Sequence, residues 1–86
     1  MWCVYIVECH DGSFYTGLTN NLERRLREHN DSRGARYTRL NGPVKLKYTE
    51  EFHTRLEASQ REVSIKKLER FRKDHLIKHG KGKRLY

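Results

Sequence analysis

Sulfur is scarce in this chain, and what there is cannot staple the fold. Cys3 and Cys9 are its two cysteines, and both fall on the first predicted strand. Six residues of strand hold them about 20 Å apart, whereas a disulfide needs Cα atoms within about 7 Å. Cys-x-x-Cys is missing, so a structural zinc site is not expected. Long apolar runs are missing too. Met1-Trp2-Cys3-Val4-Tyr5-Ile6-Val7 stops at Glu8, too short for a signal segment or a membrane span. A soluble, cytoplasmic protein is expected. Repeats and low-complexity tracts are absent as well.

Acidic charge is the remaining shortage. Nineteen Lys and Arg face eleven Asp and Glu, for a net charge of +8. The excess is uneven, with six arginines between Arg24 and Arg39 and nine basic residues between Lys66 and Arg84. Such a surface attracts phosphate backbones with little sequence preference and strong salt dependence. The bland alternative is a solvated helix face, because acidic residues are interleaved. At 86 residues, 35% hydrophobic and 35% charged, one domain over 1–86 is expected. Its core would lie at about 2–70, with a basic C-terminal helix and tail over 71–86. A fold this small is marginal alone, so a monomer or a weak dimer is expected.

What is present reads as an α+β fold. Residues 2–8 are β-branched and aromatic, nearly apolar on both faces, as in a buried central strand. His10-Asp11-Gly12 signals a turn, and 14–18 a second strand. A two-residue turn would place Tyr15 on the face opposite Tyr5. A three-residue loop with Gly12 left-handed sets Tyr5 across from Gly17 and Tyr15 across from Val7. The second register is preferred, because a strand glycine often marks close approach by something else. Asn20 and Glu23 form a capping-box pattern for a helix to about residue 30. Its inward stripe is Leu22, Arg25, Leu26 and His29, with Arg24, Arg27 and Glu28 left to solvent.

Residues 31–43 read as a polar loop. Over 44–51, Val44, Leu46 and Tyr48 alternate with Lys45, Lys47 and Thr49, a half-solvated strand suited to an edge. Thr54-x-x-Glu57 caps a helix continuing to about Phe71, and 73–79 forms a short one ended by Gly80. The tail from Lys81 to Arg84 is expected to be flexible. The order is β-β-α-β-α-(α), a three-stranded antiparallel sheet flanked by helices.

Phosphodiester cleavage needs a base for water, a cation for phosphoryl charge, and help for the leaving oxygen. Tyr5 could be the base if its pKa, near 10 for a free phenol, is lowered by a nearby cation or metal-bound water. Arg25 has a fork suited to two phosphate oxygens, and His29 sits one turn away, able to bond phosphate or relay a proton. Glu62 is the carboxylate most apt to face the sheet, and one carboxylate plus waters and phosphate oxygens suffices for Mg²⁺. Each has an ordinary reading: Tyr5 and Tyr15 as core aromatics, Arg25 snorkelling past leucines, His29 at a helix dipole, Glu62 paired with Lys66. His75 and His79 lack a third ligand, and Gly80-Lys81-Gly82-Lys83 lacks Walker spacing.

Taken together, Cys3-Val4-Tyr5, Tyr15-Thr16-Gly17, Arg25-x-x-x-His29 and Arg61-Glu62 before Ile65-Lys66-Lys67-Leu68 resemble the GIY-YIG nuclease superfamily. The likeness is greatest to its small, single-domain bacterial YhbQ-like branch. Gly34-Ala35-Arg36-Tyr37-Thr38 resembles that branch's loop. The resemblance implies a β-β-α-β-α domain that cuts DNA, or RNA, with one divalent ion, Mg²⁺ or Mn²⁺. It implies Tyr5 as general base, Tyr15 positioning water or phosphate, Arg25 steadying phosphoryl charge, and Glu62 holding the metal. Gly17, Arg24, Arg27, Arg33, Arg36, Tyr37, Arg39 and Lys66 are the expected nucleic-acid contacts, directed by structure more than by base sequence. Cys3 stands in place of the first motif's glycine, and no asparagine follows Asn41. The second departure motivates an alternative, a binding module of the same fold without turnover; a protein-interaction subunit is a third.

Overall fold

The computed structural model describes residues 1–30, 44–80 and 82–84. Three strands form its centre: β1 (Trp2–Glu8), β2 (Phe14–Thr19) and β3 (Lys45–Phe52). Around them lie α1 (Leu22–Asn30), α2 (Arg55–Lys66), α3 (Arg70–His79) and a two-residue strand β4 (Lys83–Arg84). The sheet is antiparallel in the order β2-β1-β3-β4. β1 is central because its side chains are apolar on both faces. Val4, Tyr5, Ile6 and Val7 are each at most 1% exposed.

Alternation along β1 splits the interior into two clusters. Val4 and Ile6 pack with Tyr48, Ala58, Ile65 and Ile77, under α2 and α3. Tyr5 and Val7 pack with Cys9, Val44, Tyr15 and the α1 residues Leu22 and Leu26. α1 therefore covers one face of the sheet, and α2 with α3 the other.

The hairpin follows the three-residue register. Tyr5 pairs with Gly17 and Val7 with Tyr15. Gly12 has φ +87°, and the Cys9 N–H donates to the Ser13 carbonyl at 2.8 Å. The left-handed backbone is why a glycine stands there. At the start of α1 the cap is Asn21, not Asn20. Its Oδ1 accepts the Arg24 N–H at 3.0 Å, and the Asn21 N–H donates to Thr19 Oγ1 at 3.0 Å. The hydroxyl at the end of β2 thus sets the helix start one residue later than the Asn20–Glu23 pattern implies. Glu23 instead pairs with Arg27 at 3.4 Å.

β3 departs from its sequence pattern. The β1–β3 register runs Ile6 to Tyr48, then Val7 to Leu46, leaving Lys47 as an extra residue. This bulge sends Leu46 and Tyr48 to opposite faces, so the two clusters each receive one. Nor is β3 a bare edge. β4 pairs with Tyr48 and Thr49, so this part of the tail is ordered by a ladder, where a flexible tail was expected. The Gly82 N–H donates to Tyr48 Oη at 3.0 Å, and Tyr48 Oη donates to Glu50 Oε2 at 2.5 Å. Arg61 grips Glu50 with two N–H donors at 2.8 and 3.1 Å, a bidentate pair that holds α2 to β3.

The break between the last two helices falls before Glu69, earlier than the expected one after Phe71. α2 ends at Lys66, and Glu69, extended at φ −67° and ψ 160°, starts α3. No glycine or proline marks the break. The turn instead lets Leu76 and Ile77 reach the cluster beneath Tyr48, which a straight helix to Phe71 would not. At the other end of α2 the capping box is complete: the Glu57 N–H donates to Thr54 Oγ1 at 3.2 Å and Glu57 Oε1 accepts the Thr54 N–H at 3.3 Å. Thr54→Ala should lower stability by about 1 kcal/mol, read as a shifted urea midpoint at constant slope. An unmoved midpoint would show that the cap contributes nothing.

Candidate active site

The site grows from one buried phenol. Tyr5 is 1% exposed, with its ring lying over Gly17. A Cβ on Gly17 would come within 2.6 Å of Tyr5 Cζ, so only glycine leaves room for the ring. The close approach that Gly17 permits is thus Tyr5's own.

The Tyr5 hydroxyl lies 2.8 Å from His29 Nε2, and the two rings meet edge-on with centroids 5.8 Å apart. Tyr15 meets the same imidazole at 5.5 Å. His29 is 1% exposed, so it serves the sheet rather than the dipole of its own helix end. Arg25, one turn earlier on α1, stands close enough to act on the Tyr5 phenol through its charge, and it donates a hydrogen bond to Glu28 Oε1 at 3.3 Å. The solvent position expected for Glu28 is corrected: it is half-buried and holds Arg25. The i, i+3 spacing from Arg25 was the signal for this.

Electrostatics set the protons. Burial pushes the Tyr5 phenol up to about 12; Arg25 works against this, while Tyr15 and Glu62 add to it. The lowered pKa expected of a base is therefore not found in the protein by itself. Burial, then the Arg25 charge, hold His29 below the usual imidazole range, so it is neutral at pH 7. The simplest arrangement is a Tyr5 O–H donating to neutral Nε2 with the Arg25 charge nearby. Burial disfavours the Arg25 cation, but Tyr5 and Glu28 outweigh that and raise its pKa.

Glu62 comes from the other side of the sheet's margin. It follows the fully buried Ala58 by one turn of α2, which packs across β1 and β2. Its carboxylate is 17% exposed, lies 3.5 Å from Lys66 Nζ, and is near enough to act on the Tyr5 phenol. Among the described residues no three His, Cys, Asp or Glu side chains come together as a metal centre. A lone carboxylate suits Mg²⁺ or Mn²⁺, which keep waters and take substrate oxygens; it does not suit an all-protein zinc cage.

Of the expected nucleic-acid contacts, Arg24 and Arg27 are exposed on α1, Arg27 being paired with Glu23. Lys66 is the ion-pair partner of Glu62. Arg33, Arg36, Tyr37, Arg39 and the 34–38 loop lie outside the described residues, as does Asn41.

Residues 1–82 match the model of the GIY-YIG catalytic domain. The chain belongs to the GIY-YIG family. It is 57% identical over 74 residues to the UPF0213 protein of Clostridium perfringens, covering 86% of this chain and 80% of that one. To the UPF0213 protein of Halobacterium salinarum it is 49% identical over 74 residues, covering 86% of this chain and 96% of that one. The small branch thus extends to archaea. The solution NMR structure of the UPF0213 protein from Bacillus halodurans is similar at TM-score 0.60 and 42% identity, covering 94% of this chain and 88% of that one. GIY-YIG is a nuclease family; the UPF0213 names carry no particular activity.

Two pH limits follow from the buried pair. Tyr5 is held above its unfolded value, so the folded state keeps a proton that the unfolded state loses. Stability should fall as pH rises from about 10 to about 12. His29 is held below its unfolded value, so the unfolded state binds more protons, and stability should fall as pH drops below about 6.5. His29→Gln should remove the part of the acid-side loss that begins near pH 6.5 in denaturant titrations. An unaltered acid limb in that variant would contradict the assignment.

Proposed function

We propose that the protein is a metal-dependent endonuclease that hydrolyses DNA phosphodiester bonds, selecting its substrate by structure more than by base sequence. The observation that carries this reading is the buried Tyr5 hydroxyl 2.8 Å from His29 Nε2, with the Arg25 charge nearby. A phenol whose proton has an acceptor already in place can take a proton from water by passing its own on.

The reaction asks four things of the site. Water attacks phosphorus; its proton goes to the Tyr5 oxygen as the Tyr5 proton passes to His29 Nε2. The new P–O bond forms as the bond to the leaving oxygen breaks, and that oxygen takes a proton from solvent. His29, neutral beforehand, can accept this proton. Arg25 stabilises negative charge on the Tyr5 oxygen and on the non-bridging phosphate oxygens beside it. Tyr15, packed edge-on against His29, keeps the imidazole turned toward Tyr5 and offers its own hydroxyl to the phosphate or water. Glu62 would hold Mg²⁺ or Mn²⁺, which supplies charge neutralisation at the phosphoryl and leaving oxygens. Arg24, Arg27 and the arginines between Arg33 and Arg39 are the proposed backbone contacts, with Tyr37 beside them.

Nucleic acid is also the partner that a charge of +8 fits. Among the described residues no helix is long and apolar enough to cross a membrane.

Branched, nicked and single-stranded DNA incubated with Mg²⁺ or Mn²⁺ is the direct test. Cutting should fall by about 100-fold or more in Arg25→Ala and vanish in Glu62→Ala, with both variants folded by circular dichroism. Failure to cut any member of the panel would sink the nuclease reading. Salt-sensitive binding that ignores Glu62→Ala and metal removal would then favour a binding module without turnover.

A further inference from the structure

On the side of the sheet away from Tyr5, α3 carries features that the nuclease site does not use. Phe71 is 61% exposed, and Arg72 lays its guanidinium 5.4 Å from the ring centroid. His75 and His79 follow with ring centroids 4.7 Å apart. Phe71, Arg72, His75 and His79 line an open cleft of about 420 Å³ together with Leu68 and Leu76. A protein core does not need a ring this exposed, and the helix is anchored elsewhere, by Ile77 and Leu76 inside and by Arg70 over Phe14 at 4.2 Å.

The charge near this cleft is mainly positive, with Glu69 at the helix N-cap two residues before Phe71. α3 holds Arg70, Arg72, Lys73 and Lys78 against a single acid, Asp74, which already pairs with Arg70 at 4.0 Å. Lys66 comes close enough to Lys73 that its charge, after burial, lowers the Lys73 pKa. By helical spacing Phe71, His75 and Lys78 share one face, bordered by Arg72 and His79. An exposed aromatic ring with an arginine over it and a further cation on the same helix face can take an unstacked base and its phosphates. A peptide partner would have to match the same positive charge.

We propose that α3 is a second nucleic-acid contact, in which Phe71 and Arg72 stack an unpaired base while Lys78 and its neighbours bind the adjoining phosphates of a single strand. This rests on the nucleic-acid reading above and extends it: the substrate would have a single-stranded segment reaching α3 while another part meets Tyr5 on the opposite face.

Binding is the measurement, made with the full chain in chelator so that nothing is cut. Fluorescence anisotropy of a labelled mixed-sequence single strand should show Phe71→Ala weakening affinity about 5- to 100-fold, the worth of one base on one ring. Phe71→Trp should restore it, and the added indole should be quenched by the strand. Arg72→Ala and Lys78→Ala should each lower the salt slope by about 0.7. A blunt duplex should bind Phe71→Ala and wild type alike. Wild-type binding that Phe71→Ala leaves unchanged overturns this proposal alone. No binding of any strand at low salt overturns it and the nucleic-acid reading together. Phe71-dependent binding without cutting on the panel above leaves it standing while the nuclease reading falls. Sedimentation showing a dimer that Phe71→Ala dissolves would assign the face to a second copy and overturn the proposal.

Discussion

A phenolic hydroxyl on a side chain only 1% exposed loses most of water's hydrogen bonds, at a cost of roughly 1–3 kcal/mol if nothing replaces them. In this protein the replacement for Tyr5 comes from α1, the His29 imidazole at 2.8 Å, with the Arg25 charge nearby. That requirement ties the helix to the central strand in one rotation and one register. Gly17 is the complementary requirement on the next strand, since any Cβ there would displace the ring. The same two α1 residues put a proton acceptor on, and a cation near, the one hydroxyl proposed to do chemistry. Stability and activity therefore share their contacts.

The second face of the sheet is built on different terms. Val4, Ile6, Tyr48, Ile65 and Ile77 form an apolar layer, closed at its margin by the bidentate Arg61–Glu50 pair and by Tyr48 Oη holding the Gly82 N–H. Burial and the Glu50 carboxylate push Tyr48 up to about 12, so it remains a donor. The bulge at Lys47 is what allows β3 to feed both layers, sending Leu46 toward Tyr5 and Tyr48 away from it. Without the extra residue both would crowd one face, and the other would lack a large side chain. In a chain of 86 residues there is little else to fill it.

Much of this was legible from residue types and spacing. The apolar run of β1 announced a central strand, Gly12 announced the loop that aligns Tyr5 with Gly17, and Thr54 with Glu57 announced the start of α2. All three are local: one backbone conformation or one turn of helix decides them. The stripe Leu22, Arg25, Leu26 and His29 likewise named the inward face of α1. Misreadings arose where a distant partner overruled a local pattern. Alternation over 44–51 hid the bulge because its cause is the mate strand, β1. A break after Phe71 looked reasonable, but Leu76 and Ile77 reach the core from a helix that starts at Arg70. Asn20 yielded to Asn21 because the Thr19 hydroxyl had already claimed the turn.

The amino-acid order by itself determined the family, the order of elements, and which residue types stand at Tyr5, Tyr15, Arg25, His29 and Glu62, because motif spacing and hydrophobic period are properties of the chain alone. Only the folded molecule decided where the protons sit. A phenol's pKa depends on what surrounds it, and it took the packing of α1 on the sheet to bury Tyr5, neutralise His29 and bring Arg25 near the same oxygen. The exposure of Phe71 was likewise settled in three dimensions, since a phenylalanine in a helix reads as core until the helix is turned and a different residue, Ile77, is buried in its place.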